Sequence, residues 1–499
     1  MKKLLLCIVV VPASFALAAS VATVDFAQVE GRINPALHSS GWTPRSTNGS
    51  QTKNPDIDIV KSMNFAFART HDWALVNAGQ HVVDYHFIFP LMHLDATDPK
   101  NYCFGPTDHL LGMSREAGLE IFYRLGTSIE HTGPKVHFNS AIPEDFDKMA
   151  EIFAATVRHY NRGWANGKMW NIRYWEIWNE PDGQNNMWSL PDGDEGYGPL
   201  TSEGEAKKAK RRALFCAFYA KCLKRIKSEF PEVKVGGPAL CEYQEDYFQQ
   251  LFDACKESGT MPDFISWHYY GNDPDGLPAQ SLAARGLCDR NGLKDCELVV
   301  NEWHYMDSRW SDLRSANPAV SARVQDGPTG HNNIDSAAFV LGNLIGFQTK
   351  SKFDIACYYG CEHAGHWGYM NDVKDFNKVY YACRLFGRIV KDYSAICAAG
   401  KVAENYYVLP VIGKAGDKKA LLVVDFRNVD QVLEIDIKGL GAPARASARV
   451  LDHTRDDIPC ACDFMEGKLR LVKPDKYSAA FFVQFSDVAR FDGRGGEEK

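Results

Sequence analysis

Between residues 60 and 390, short apolar runs rich in β-branched and aromatic residues alternate with longer stretches of helical spacing. This alternation is typical of βαβ units that build a parallel sheet. An eighth strand, near residues 35–42, has the weakest pattern, and together the eight strands predict a (β/α)8 TIM barrel. The other seven predicted strands are Phe65–Thr70, Glu120–Leu125, Tyr174–Asn179, Val233–Gly236, Phe264–His268, Leu298–Asn301 and Ile355–Tyr358.

Three stretches between these strands have apolar residues at the spacing of an amphipathic or buried helix. We predict helices over Pro143–Asn161, Glu205–Phe230 and Ile334–Gln348. The first opens with Pro-Glu-Asp, which suits a first turn. The second carries a run of lysine and arginine, and the solvated outer face of a barrel explains it better than a polyanion site.

After Val390 the pattern changes to strict alternation of apolar and polar residues, interrupted by turn residues. The chain is therefore predicted to be an α/β protein, with a barrel over residues 20–395 and a C-terminal β-sandwich over residues 396–490. Ala22–Arg32 is a candidate to pair with the sandwich, and residues 491–499 are predicted to be disordered. The sandwich strands are predicted at Tyr406–Ile412, Lys419–Arg427, Val432–Ile437, Ser447–Asp452, Lys468–Val472 and Ala479–Phe485.

Residues 1–19 have the pattern of a cleavable secretory signal peptide. Lys2 and Lys3 precede the apolar stretch Leu4–Ala16, and Ala16-Leu17-Ala18 is a small-x-small cleavage site. The apolar stretch is too short to span a bilayer and contains Pro12. We therefore expect a secreted or periplasmic protein without membrane insertion.

Charge and cysteine content narrow the partners and cofactors. A formal net charge of −7 over 499 residues argues against a nucleic-acid partner. Thirteen of the 14 cysteines follow the predicted signal peptide, and export permits disulfides. One or two disulfides plus buried thiols such as Cys216 and Cys222 are expected, with undetermined connectivity. No zinc-type spacing is present, so we predict no metal and no cofactor.

Two glutamates follow strand-like runs at matching positions. Glu180 ends the run Arg173–Asn179 and is followed by Pro181, which cannot donate to a sheet, and Glu302 ends the run Glu297–Asn301, 122 residues later. Barrels of this kind build their active sites at the carboxyl ends of the strands. A pair of carboxylates there is what glycoside hydrolysis needs, and the retaining form requires a separation of about 5 to 5.5 Å.

Three motifs resemble clan A retaining glycosidases: Trp-Asn-Glu-Pro at 178–181, His-Tyr-Tyr at 268–270 and Asn-Glu-Trp at 301–303. Within that clan the chain is most similar to glycoside hydrolase family 39, which contains β-xylosidases and α-L-iduronidases. The resemblance implies that Glu180 is the acid/base and Glu302 the nucleophile, without a metal. The apolar neighbours Trp178 and Pro181 fit the acid, since they favour its neutral form.

Substrate-binding side chains are also implied. Asn179 resembles the asparagine that binds the sugar 2-hydroxyl, with a strand-end cap as the alternative role, and a packed core residue is the alternative for His268. Arg69, Arg124 and Glu176 are expected to form a buried charge network that supports the carboxylates. The predicted substrate-binding residues are His71, Asn179, His268, Tyr270, Trp303, Glu362 and Trp367.

The leading hypothesis is an exported retaining glycosidase, nominally a β-xylosidase. A β-glucosidase, a β-galactosidase or an iduronidase-like enzyme would use the same pair of acids, although no basic residues for a uronate carboxylate can be assigned. A non-catalytic carbohydrate-binding barrel is the remaining alternative, and the presence of both glutamates counts against it.

Overall fold

The computed structural model of the chain describes residues 20–41, 44, 55–71, 81–128, 142–183, 188, 202–313, 315–325, 327, 330–360, 367–369, 375–441 and 444–487. Two bodies of secondary structure are present in this part of the chain. Eight parallel strands close into a barrel, and ten further strands form a second sheet.

The barrel is confirmed, with each of its strands parallel to the next and the last strand paired with the first. The chain enters through β1 (Ala22–Arg32), which belongs to the second sheet. The barrel strands are β2 (Ser39–Ser40), β3 (Phe67–Arg69), β4 (Glu120–Leu125), β5 (Tyr174–Ile177), β6 (Lys234–Leu240), β7 (Phe264–Gly271), β8 (Glu297–Tyr305) and β9 (Ile355–Tyr358).

Helices pack around the barrel, and the three predicted ones are present within three residues at each end. The fourth helix starts at Phe146 because Asp145 caps it, accepting from the amide of Lys148 at 3.0 Å, and it ends at Gly163 in the left-handed region (φ +70°). None of the described helices has the length and apolar content to cross a bilayer. The helices are α1 (Pro55–Met63), α2 (Tyr85–Ile88), α3 (Gly105–Glu116), α4 (Phe146–Arg162), α5 (Ser202–Glu229), α6 (Glu245–Ser258), α7 (Gly276–Arg290), α8 (Trp310–Leu313), α9 (Pro318–Gln325), α10 (Ile334–Thr349) and α11 (Lys378–Asp392), with 3-10 turns at Pro35–Leu37 and Pro99–Asn101.

The barrel interior is layered along the strands. An apolar layer contains Phe67, Tyr174 and five further buried side chains. Two residues later on the same strands, and therefore on the same face, lie the charged residues Arg69 and Glu176. The apolar layer closes the interior, and the charged layer above it occupies the carboxyl end, where a TIM barrel builds its site.

The second sheet is formed by the C-terminal strands together with β1. β1 lies antiparallel to β10 and parallel to β13, as the candidate pairing anticipated. The order along the sheet is β15-β14-β18-β12-β11-β10-β1-β13-β17-β16. The strands are β10 (Tyr393–Ala399), β11 (Tyr406–Gly413), β12 (Lys419–Asp425), β13 (Val432–Lys438), β14 (Ala444–Leu451), β15 (Ile458–Cys460), β16 (Asp463–Met465), β17 (Lys468–Val472) and β18 (Ala479–Asp487).

This sheet has the inner core of a sandwich. Leu421 and Phe481, from one half of the sheet, share a buried cluster with Leu433 and Leu469, from the other half. The two halves therefore face each other. Its opposite face packs on the barrel, since Leu422 and Phe482 belong to the barrel's own core cluster.

Two features of the prediction were wrong. The strands β10, β15 and β16 were not predicted, because β10 follows α11 directly and the other two are three residues long. The expected disulfides are absent from the described residues, where all 12 cysteines are free thiols and most are buried. Cys7 and Cys361 lie outside the described residues.

Candidate active site

The first candidate carboxylate lies just beyond β5, where neighbouring strands hold its backbone. The amide of Trp178 donates to the carbonyl of Leu125 (2.7 Å), and the amide of Glu180 donates to the carbonyl of Ala239 (2.8 Å). Trp178 and Glu180 have left-handed backbone, with φ of +77° and +45°. Non-glycine residues adopt this conformation rarely, and it is enriched at functional sites. The fold therefore fixes Glu180 at the carboxyl end of the barrel.

The second candidate, Glu302, lies within β8 and is 4% exposed. Its Oε1 accepts from Arg69 Nη1 at 2.9 Å and contacts His71 Nε2 at 2.7 Å, while its Oε2 accepts from the Tyr270 hydroxyl at 2.8 Å. Burial alone would raise the pKa of this carboxyl. The neighbouring His268, His71 and Arg69 outweigh burial and hold the pKa well below its usual range. Glu302 is therefore an ionised carboxylate at neutral pH.

Arg69 connects the two strand ends. It is fully buried, and its guanidinium donates to Glu176 Oε2 (2.7 Å), Glu302 Oε1 (2.9 Å) and Asn179 Oδ1 (2.8 Å). Three donors in a rigid fork set the relative positions of three acceptors. The structure thus pairs Arg69 with Glu176, as expected, and places both beneath the candidate carboxylates.

Arg124, expected in the same network, belongs to a different one. Its Nη2 donates to Asp84 Oδ1 at 2.9 Å. The second oxygen of Glu176 is already occupied, because it accepts from Ser266 Oγ (2.6 Å) and Asn301 Nδ2 (2.5 Å). Glu176 is therefore a fully bonded structural carboxylate.

The two candidate carboxylates meet at His268. Its Nδ1 lies 2.8 Å from Glu180 Oε1 and 3.3 Å from Glu302 Oε2. One oxygen of Glu180 and one of Glu302 lie within 4.8 Å of each other. In contrast to Glu302, Glu180 is paired with no arginine or lysine of the described residues. The two acids are close together but differ in their electrostatic surroundings.

The same three side chains have the geometry of a possible metal site, since their ligand-type atoms all lie within 4.8 Å of one another. The charge of the site argues against a cation there. Arg69 already bonds Glu302 at 2.9 Å, and this buried guanidinium would repel a metal ion. The donor set does not favour a metal.

One predicted substrate-binding residue, Trp303, is not at the site. Trp303 is 1% exposed and packs against Phe347 of α10 with ring centroids 5.1 Å apart, so its side chain faces the helix layer. The prediction that Trp303 binds substrate was therefore wrong. Side chains alternate along a strand, so the neighbour of the inward-facing Glu302 faces outward. Glu362 lies outside the described residues.

An aromatic wall, defined here as Tyr270, Trp310 and Trp367, flanks Glu302. Ring centroids are 5.0 Å apart for Tyr270 and Trp310, 5.8 Å for Tyr270 and Trp367, and 6.0 Å for Trp310 and Trp367. Tyr270 and Trp367 were predicted to bind substrate, whereas Trp310 was missed. The sequence offers one indication of Trp310, which is its position in the long loop that follows the seventh barrel strand.

Removing the Arg69 guanidinium is expected to destabilise the fold. Arg69→Met would leave the buried carboxylates of Glu176 and Glu302 without their cation, which costs about 3 to 5 kcal/mol of unfolding free energy. Urea denaturation at pH 7 measures this loss. Arg290→Met, which removes an exposed pair with Glu245, is the control and should cost about 1 kcal/mol or less.

The pH dependence of that loss has a defined sign. The pKa of Glu302 is depressed in the folded protein, so on acidification the unfolded chain binds the proton first. The stabilisation is fully present above the ordinary glutamate pKa, begins to be lost near that pKa, and disappears as pH falls through the depressed pKa of the folded protein. The difference between Arg69→Met and wild type should therefore shrink towards pH 4. An equal difference at pH 7 and pH 4 would contradict this electrostatic role.

Comparisons with known proteins identify the family. The sequence profile of Glycosyl hydrolases family 39 matches residues 24–286, more than half of the chain, and this range includes Glu180 and His268. A beta-xylosidase from Geobacillus stearothermophilus is 27% identical over 223 residues, which are 40% of this chain and 39% of that protein. The alignment therefore spans well under half of the relative's length.

Solved structures share the fold over most of the chain. A glucosidase from Croceicoccus marinus has a TM-score of 0.68 at 19% identity, covering 94% of this chain and 99% of that one. A GH51 alpha-L-arabinofuranosidase from Thermotoga petrophila has a TM-score of 0.62 at 13% identity, covering 93% and 100%. At these identities the likeness concerns the fold alone. The family profile, together with the strand-end glutamates, shows that the chain belongs to glycosyl hydrolases family 39.

Proposed function

We propose that this protein is a retaining glycoside hydrolase that cleaves O-glycosidic bonds by double displacement. The observation that carries the proposal is the placement of two carboxylates at the carboxyl end of one barrel, one after β5 and one in β8, with oxygens within 4.8 Å of each other and His268 in contact with both. Retaining enzymes need a separation of about 5 to 5.5 Å, whereas inverting enzymes need about 6.5 to 9.5 Å to admit a water. The observed approach favours direct attack by one carboxylate.

Glu302 is the nucleophile in this mechanism. The contacts with Arg69, His71 and Tyr270 keep it ionised and fix both of its oxygens. It attacks the anomeric carbon, the bond to the leaving oxygen breaks, and a glycosyl ester forms on Glu302. The buried charges also limit the rotation of this carboxylate, which favours a single direction of attack.

Glu180 is the acid in the first step and the base in the second. Its side chain is 15% exposed, so it is accessible from the cleft, and it pairs with no cation other than a protonated His268 among the described residues. It gives its proton to the leaving oxygen as that bond breaks. It then takes a proton from the water that attacks the ester, which returns both carboxyl groups to their starting states.

Two further side chains are placed to hold the sugar. Asn179 has its Oδ1 bonded to Arg69, which leaves the amide group oriented for a hydroxyl. The buried Nε2 of His268 has no hydrogen-bond partner in the described part of the chain. A buried polar atom of this kind is costly unless a ligand satisfies it, and a sugar hydroxyl in the cleft would do so.

The nominal substrate is a β-xyloside. This choice rests on the relative named a beta-xylosidase, which is 27% identical over 40% of this chain. The alternatives keep the same site and change the sugar to a β-glucoside, a β-galactoside or an iduronide. Export, proposed from the signal-like residues 1–19, concerns residues outside the described part.

A panel of 4-nitrophenyl glycosides tests this function. We expect the highest kcat/KM on the β-D-xyloside among the xyloside, glucoside, galactoside and iduronide. Glu302→Gln, prepared in the same way, is the control for contaminating activity. A preference for another sugar would select one of the alternatives, and binding of sugar without hydrolysis of any panel member would indicate a non-catalytic protein.

A further inference from the structure

Arg427 reaches from the C-terminal sheet to the carboxyl end of the barrel. It follows β12, and its guanidinium bonds three groups of the barrel: the Tyr305 hydroxyl (2.5 Å), Asp307 Oδ2 (2.5 Å) and Asp335 Oδ2 (2.8 Å). Tyr305 is the last residue of β8, the strand that carries Glu302. The sheet therefore contacts the strand of the proposed nucleophile directly.

The arginine is fixed from its own side as well. Its amide donates to Ser478 Oγ at 2.9 Å, and Ser478 Oγ donates to Asp335 Oδ1 at 2.6 Å. Asp335 is 2% exposed, so this carboxylate is a buried anchor at the start of α10. A buried carboxylate bonded from two directions holds the guanidinium in one orientation.

On the barrel side, the Arg427 guanidinium holds the segment that follows β8. Asp307 Oδ1 accepts from Asn272 Nδ2 at 2.5 Å, and the amide of Met306 donates to the carbonyl of Gly271 at 2.8 Å. Gly271 ends β7, which carries His268 and Tyr270. Arg427 thus holds the end of β8 directly, and the end of β7 through Asp307 and Asn272.

Three residues beyond Asp307 the chain begins α8 with Trp310, whose ring packs edge to face on Tyr270. The Tyr270 hydroxyl in turn bonds Glu302. Trp310 is 45% exposed, although only the Tyr270 side chain separates it from Glu302. Ligand sites are lined predominantly by apolar and aromatic side chains, so a half-exposed ring next to the candidate nucleophile is suited to contact a ligand.

We infer that Trp310 is the stacking surface of a second sugar subsite, and that Arg427 positions it. The inference rests on the proposed function, since the first sugar lies between Glu180 and Glu302. The ligand is a second pyranose of the same glycoside, whose apolar face covers the indole. The C-terminal sheet thereby determines which chain lengths the barrel hydrolyses.

Trp310→Ala tests the subsite with two substrates of the sugar that the wild type prefers: its β-1,4-linked disaccharide and its β-glycosyl fluoride, whose leaving group has no ring. We expect kcat/KM for the disaccharide to fall about 10-fold more than for the fluoride, mainly through KM, since one stacking contact is lost. Equal losses on both substrates would overturn the subsite.

Arg427→Ala should shift the same substrate ratio in the same direction, and Arg427→Lys should restore it in part. Arg388→Ala is the matched control, because Arg388 bonds Asp457 bidentately (2.6 and 2.9 Å) and joins the same two domains through α11. Arg388→Ala should lower stability and leave the ratio unchanged. If the disaccharide-to-fluoride ratio of kcat/KM were the same in Arg427→Ala and Arg388→Ala, Arg427 would act on stability alone.

If the wild type hydrolyses no glycoside, the proposed function fails, and the subsite is tested by binding. Calorimetric titration with β-1,4-xylobiose should then give a dissociation constant about 10-fold weaker for Trp310→Ala than for wild type. Equal constants, or no binding to either protein, would overturn the inference.

Discussion

Replacing Glu302 by alanine is expected to lower kcat by about 10⁴-fold or more, because no other group of the described residues is placed to form the glycosyl ester. Its contacts with Arg69 and His71 mark Glu302 as the ionised partner of the pair. External azide should restore part of the activity, since a small anion can enter the space left by the carboxylate. The product should then be the glycosyl azide of inverted configuration.

The alanine variant also leaves the Arg69 charge unpaired, so loss of activity must be separated from loss of fold. Glu302→Gln is the matched control, because its carbonyl oxygen can still accept from Arg69 and its shape is kept, while the nucleophile is removed. It should be more stable in urea than Glu302→Ala and remain inactive. Turnover of either variant at the wild-type rate would reject the assignment of Glu302.

Replacing Glu180 by alanine should separate substrates by their leaving groups. A poor leaving group needs a proton to depart, and general acid catalysis is worth about 10²- to 10⁴-fold. The rate on such a glycoside should fall by that factor, while an activated dinitrophenyl glycoside should lose far less in the first step. The second step slows because water has lost its base, so a glycosyl-enzyme should accumulate on Glu302. Mass spectrometry would detect it as one added sugar.

A competing proton donor can be tested in the same experiment. Glu176 is excluded by its contacts, since both of its oxygens are bonded. Both oxygens of Asp182 are bonded too, by the Cys241 amide (3.1 Å) and Gln244 Nε2 (2.5 Å), but burial, with the nearby charge of Glu180, raises its pKa to about 7, so it is the competitor to test. Asp182→Asn should keep the wild-type dependence on leaving group. If Asp182→Asn instead slowed poor leaving groups far more than good ones, while Glu180→Ala kept the wild-type dependence on leaving group, the acid role would belong to Asp182.

Much of the fold could be predicted because the barrel strands carry strong local patterns. β4 (Glu120–Leu125) and β9 (Ile355–Tyr358) match their predicted bounds. The short strand β2 (Ser39–Ser40) had the weakest pattern, since two residues give little periodicity. β10 could not be separated from the preceding α11, because no turn residue lies between Asp392 and Tyr393.

The candidate site was predictable where one strand contained the information and not where two domains had to meet. Glu180 and Glu302 follow local runs, and alternation within β8 would have directed Trp303 away from the cleft. Arg427 gave no local indication, because its partners Asp307 and Asp335 lie 120 and 92 residues away. Long-range pairs of this kind are set by the packing of the sheet on the barrel.

The configuration of the first product tests the central claim most directly. Proton NMR spectra recorded within the first minutes of hydrolysis of a β-glycoside, before mutarotation, distinguish the two anomers of the released sugar. Double displacement through Glu302 predicts that the β-anomer appears first. Initial release of the α-anomer would show single displacement by water and would contradict the roles assigned to Glu180 and Glu302.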